Sequence, residues 1–216
     1  MEFETELASL RETLLRMGGQ VESQIDAATR ALRERDRGAA DLVRRTDQQL
    51  NELFRQIREQ CLMVIATQQP VARDLRTLMG IVYISTELER MGDYAVRIAR
   101  ITGTICGLPD KQLQPEFGLM ADLTVIQVHD ILDALIEMDE VRAREVAAKD
   151  DDIDRLYHRL FDTLVEEIGE GGGPEAALRG VTLMQAAHSL ERIADRVTNV
   201  AEDIVFWESG QVVELG

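Results

Sequence analysis

The sequence predicts an all-α protein built as two tandem three-helix bundles, six long helices in all. Two observations carry this. Apolar residues recur at helical spacing over long stretches, in a chain of 216 residues with only four prolines and 4% aromatics. And the chain repeats itself. A shift of 103 places Met17 on Met120, Ile25 on Val128, Leu32 on Leu135, Val43 on Val146, Asp47 on Asp150 and Phe54 on Tyr157. A shift of 102 places Glu89 on Glu191 and Asp93 on Asp195, as one loop deletion would give.

The first helix runs from about Glu4 to Asp36, with Leu7, Leu10, Leu14, Met17, Val21 and Ile25 on one side. Gly18-Gly19 interrupt that stripe and predict a bend. After a break at Arg37-Gly38, a second helix extends from about Ala39 to Gln68. Pro70 suits the first turn of a third, which reaches about Thr102. Gly103 to Gly118 holds three glycines and two prolines and reads as a connector. The fourth helix spans about Leu119 to Met138, the fifth Glu140 to Ile168 and the sixth Glu175 to Trp207. The expected organisation is therefore a first repeat over 1–105, a linker over 106–118, a second repeat over 119–210 and a frayed tail over 211–216.

The net charge is -16, from 24 basic and 40 acidic side chains. Nucleic acids and anionic membranes are bound through basic faces, so the balance argues against both. It suits a cation, a basic protein partner, or simply an acidic surface. Cys61 and Cys106 form no C-x-x-C pair, and Cys61 sits in an apolar helical run that marks it as core. No N-terminal signal and no apolar run of about 20 residues appears, so the expected location is cytoplasmic.

The candidate site comes from one motif used twice. Leu88-Glu89-Arg90-Met91-Gly92-Asp93 and Leu190-Glu191-Arg192-Ile193-Ala194-Asp195 both read L-E-R-x-x-D. Acids four apart project from one helix face. The preceding helix of each half carries a second pair at the same spacing, Asp47 with Asn51 and Asp150 with Asp154. Counting from the turn near Gln69, Asp47 and Asn51 lie 22 and 18 residues before it, Glu89 and Asp93 20 and 24 after it. In an antiparallel hairpin those positions are level to within about 3 Å. Each pair flanks its apolar arc in the same sense, so the two flanks face together or both face away. If together, each hairpin presents a shallow acidic groove. Hard oxygen donors without cysteine suit magnesium, manganese, calcium or iron. His188 and His158 offer nitrogen to the second groove, whereas Asn51 weakens the first. The same spacings also serve solvated helix faces with local ion pairs, such as Asp93 with Arg97. Arg90, Arg97, Arg192 and Arg196 read as partners for neighbouring acids, His129 as a partly buried helix residue, and Trp207 as a packing anchor.

These motifs, their duplication and the connector resemble the PhoU family over nearly the whole chain; Asn51 and Ala194 are departures from the pattern. The resemblance implies two tandem three-helix bundles with E/D-x-x-x-D pairs that carry divalent or multinuclear metal, iron or zinc among them. It implies a cytoplasmic homodimer that is accessory to the phosphate ABC transporter. Such a protein links the transporter ATPase to a membrane sensor histidine kinase and holds the phosphate-starvation response off. On this reading the chain is a non-enzymatic adaptor. The alternatives are a carboxylate-bridged metalloenzyme and a purely structural helical scaffold. The Glu-x-x-His pairs of di-iron bundles are missing, since His188-Ser189-Leu190-Glu191 runs in the reverse order.

Overall fold

The computed structural model describes residues 2–215. Met1 and Gly216, the outer ends of the expected first repeat and tail, lie outside the described residues. All regular structure among the described residues is helical: α1 (Glu2–Glu34), α2 (Arg37–Gln68), α3 (Ala72–Ile105), α4 (Pro115–Glu137), α5 (Glu140–Ala147), α6 (Asp150–Gly169) and α7 (Gly173–Ser209). α1–α3 form one antiparallel bundle, and α4–α7 form the second. α5 and α6 together correspond to the single expected fifth helix.

The duplication extends to the turns. Arg35 takes a left-handed φ of 55°, and the Asp36 side chain then caps α2 by accepting from Ala39 N at 2.9 Å. In the second half Met138 takes φ 51°, and Asp139 accepts from Arg142 N at 3.0 Å. Both aspartate amides bond back to the preceding helix, Asp36 N to Ala31 O and Asp139 N to Ala134 O, each at 2.9 Å. An aspartate cap after a left-handed residue ends one helix and starts the next within two residues. The first break therefore falls at Arg35-Asp36, ahead of the expected Arg37-Gly38.

Other boundaries move for local reasons. Pro70 lies outside α3: Gln69 closes α2 in the left-handed region, and Val71 is the extended residue before Ala72. Gln69 precedes Pro70, and a residue before proline avoids the right-handed helical region, so α2 ends there. α4 begins at Pro115, four residues before the expected Leu119, with the proline at the first helical position where a missing N–H is harmless. The expected fifth helix is interrupted at Ala148 and Lys149. Lys149 Nζ reaches Asp130 Oδ2 on α4 at 3.0 Å, and α6 restarts with Asp150, Asp151 and Asp152 in its first turn. Carboxylates are favoured at a helix N-terminus.

Gly18-Gly19 do not interrupt α1, which is continuous. A Cβ at Gly18 would stand 2.5 Å from Leu132 Cδ2, so the missing side chain lets α4 approach α1 across the two halves. The most extensive helix pairing is between α3 and α7, the third helix of each bundle, which form the seam of the molecule. At one end of the seam Trp207 is buried against Gly80, where an added Cβ would lie 3.1 Å from its ring, and the Arg11 guanidinium sits 5.3 Å over the indole. Cys61 is buried, and desolvation pushes its thiol up to about 12, as a core cysteine requires. The tail is tied down rather than frayed. Leu215 N donates to Glu202 Oε1 at 2.9 Å and its side chain packs on the core. Among the described residues no helix is long and apolar enough to cross a membrane.

Candidate functional site: two acidic grooves and a polar seam

The hairpins α2–α3 and α6–α7 turn their paired positions toward each other. In the first groove Asp47 and Glu89 are half-buried, while Asn51 and Asp93 are exposed. Burial raises the pKa of Glu89, and the charges of Asp93 and Asp47 raise it further. Asp93 is raised by burial and then by Asp47. Carboxylates on two helices that repel one another share one space. Asp47 is already occupied. It accepts from Gln24 Nε2 at 3.1 Å through Oδ1 and from Asn51 Nδ2 at 3.1 Å through Oδ2.

The second groove is more acidic and less satisfied. Burial pushes Asp150 up to about 6, with Asp154, Asp195 and Asp151 adding to it. Burial pushes Glu191 up to about 7, with Asp195, Asp154 and Asp150 adding to it. Asp154 and Asp195 therefore act on both Asp150 and Glu191. Asp150 Oδ1 and Glu191 Oε2 are buried without a hydrogen-bond partner, although His188 Nδ1 lies 3.2 Å from the latter. Burial and the charges of Arg192 and Arg97 hold His188 below its usual pKa, favouring the neutral ring that a metal needs. His158 Nδ1 is bonded to Asp154 O of its own helix at 2.8 Å. Asp195 is in part neutralised by Arg192 Nη1 at 2.6 Å.

Among the described residues, no three His, Cys, Asp or Glu side chains already stand in an arrangement that would hold a metal ion. The orphaned oxygens of Asp150 and Glu191 are nonetheless the donors that a hard cation would satisfy. The second groove fits such an ion in its chemistry. The first fits it less well, because two amides already serve Asp47.

Three features lie outside the motif. Gln24 enters the first groove from α1, a helix that the E/D-x-x-x-D spacing does not involve. Glu87, two residues before Glu89, faces the seam instead. It accepts from Arg196 Nη1 at 3.2 Å and Asn199 Nδ2 at 3.0 Å on α7, and from Arg90 Nη1 at 3.3 Å. Arg196 and Arg192 thus partner acids as expected, whereas Arg97 stacks on Tyr94 at 5.5 Å and makes no ion pair with Asp93 among the described residues. His129 is exposed, 2.9 Å from Glu22, and its pKa is raised by that hydrogen bond. It is not the half-buried residue its spacing suggests.

Fold and grooves together define an all-α tandem-bundle protein with one acidic hairpin in each half. The family model for the PhoU domain matches twice, over residues 14–102 and 117–204, and the chain belongs to the PhoU family. It is 35% identical to the phosphate-specific transport system accessory protein PhoU homolog of Clostridium acetobutylicum, across 99% of this chain and 97% of that protein. It is 34% identical to the phosphate-specific transport system accessory protein PhoU of Escherichia coli K12, across 97% and 86%. The crystal structure of PhoU from Pseudomonas aeruginosa superposes with a TM-score of 0.92 at 35% identity, covering 97% of this chain and all of that one. That of the phosphate transport system regulatory protein PhoU from Streptococcus pneumoniae gives 0.88 at 29% identity. The family is one of accessory and regulatory proteins, not of enzymes.

Proposed function

We propose that this chain is a non-enzymatic adaptor of phosphate control. It is accessory to the phosphate ABC transporter, relays the state of the transporter ATPase to a sensor histidine kinase, and keeps the starvation response off when phosphate is plentiful. The observation that supports this reading is the end-to-end match to proteins named as accessory to, or regulatory of, the phosphate transport system, with the acidic hairpin present in both halves. On the same reading the chain works in the cytoplasm as a homodimer and reaches the membrane through its partners. A divalent or multinuclear cation, from among iron, zinc, manganese and magnesium, would be held by Asp150, Asp154, Glu191 and Asp195. A second, weaker site would use Asp47, Asn51, Glu89 and Asp93. The ion would supply positive charge and cross-linking between the two helices of a hairpin, with no turnover.

The decisive experiment is expression of phosphate-starvation genes in a strain lacking this chain and grown in high phosphate. Derepression is expected, and full repression would overturn the adaptor reading. A finer expectation concerns the grooves. Glu89→Lys combined with Glu191→Lys should lower metal content after dialysis and weaken capture of the ATPase and kinase, with helical circular dichroism retained. Unchanged metal content together with unchanged capture would remove the grooves from the mechanism.

A further inference from the structure

The connector Cys106–Gln114 joins α3 to α4, and its residues line a cleft of about 290 Å³. In a chain of net charge -16 this cleft is lined by four cations, Arg33, Arg35, Lys111 and Arg179, and by one carboxylate, Asp110. Three of the cations have partners. Arg33 pairs with Asp122, Lys111 Nζ lies 2.6 Å from Glu167 Oε2, and Arg35 lies 3.5 Å from the exposed Asp110 while donating to Leu108 O and Pro109 O.

Arg179 differs. It is only 6% exposed and donates once, to Lys111 O. Its Nε and Nη1 are buried with no hydrogen-bond partner. Among the described residues it makes no ion pair within 4.0 Å. Burial and the charge of Arg35 both depress its pKa, and Glu167 and Asp110 offset this only in part. A buried guanidinium with unused donors beside a second guanidinium is costly, and an anion relieves both costs at once. Planar guanidinium groups bind multi-oxygen anions through paired N–H bonds, and two that converge suit a tetrahedral oxyanion better than a halide.

We propose that this cleft is an oxyanion site that takes free inorganic phosphate, held by the unused donors of Arg179, with Arg35 and Lys111 beside it. The site lies at the connector, where both halves meet, and uses none of the acids of the two grooves. The oxyanion site itself stands apart from the adaptor reading, and only the choice of phosphate over sulfate rests on it: a strain that stays repressed without the chain would leave the site untouched.

The test is calorimetric titration of the full chain with inorganic phosphate at constant ionic strength, with chelator present so that no cation in the grooves carries the anion. Sulfate, acetate and chloride are run in parallel. Saturable binding at one site per chain is expected for phosphate, with acetate and chloride silent. Arg179→Gln should weaken it roughly tenfold or more and Arg35→Gln several-fold, while Arg58→Gln, remote from the cleft, leaves it unchanged. If Arg179→Gln does not fold, Arg35→Gln carries the test, because that side chain is partly exposed. Absence of saturable heat with the unaltered chain, or affinity unchanged in the folded variants, overturns the site. Equal binding of acetate overturns its assignment to a tetrahedral anion.

Discussion

Arg196→Met is expected to destabilise the chain by about 2–3 kcal/mol. Removing one partner of a buried ion pair typically costs about 3–5 kcal/mol, because the other charge is stranded. Here Glu87 and Arg196 are 12% and 13% exposed, so little water reaches either. The cost falls below the usual range because Glu87 keeps Asn199 and Arg90 as donors. Glu87→Leu together with Arg196→Met should recover most of the loss, since apolar side chains of similar volume replace such pairs at little cost. Denaturant unfolding of the two single variants and the double variant measures this directly. Additive losses in that cycle would show that the pair does not clamp the seam between α3 and α7.

The second large effect is a stability that falls as pH rises. Burial pushes Asp203 up to about 7 from 3.8, and the charges of Glu87 and Glu202 push the same way. The folded chain then holds a proton on Asp203 that the unfolded chain has released. A native state that binds more protons loses stability as pH rises. The contribution is fully present below about pH 4 and is lost as pH climbs through about 7, a change on the order of 4 kcal/mol. Asp150, up to about 6, and Glu191, up to about 7, steepen the same slope when no cation is bound. Asp203→Asn should flatten part of the curve and raise stability at pH 8, with little effect at pH 4. A melting temperature that rises between pH 5 and pH 8 in chelator would contradict the assignment.

Much of this architecture is legible before any coordinates. The shift of 103 predicts two bundles, and the turns keep it down to the aspartate caps at Asp36 and Asp139. Counting from Gln69 predicts that Asp47 and Glu89 stand level, and the rise that Asp47 causes in the pKa of Glu89 fits that placement. What escapes is whatever depends on a third helix or on a loop. Ala148 and Lys149 are good helix formers, so nothing local announces the interruption that Asp130 and three successive aspartates bring about. Gln24 is invisible because its partner is 23 residues away on another helix. Gly18-Gly19 look like a bend only until Leu132, from the other half, fills the space. Arg179 gives no signal, because its neighbours come from α1 and from the connector.

The covalent joining of the two halves has a consequence for the seam. Because Cys106–Gln114 tethers one bundle to the other, α3 and α7 meet at a fixed effective concentration instead of by diffusion. A seam held in this way tolerates polar cargo such as Glu87 and Asp203, which two free single-repeat chains at cellular dilution would have to overcome at every encounter. Fusion after duplication has in this sense released the inner faces from the demand for tight self-association and left them free to diverge.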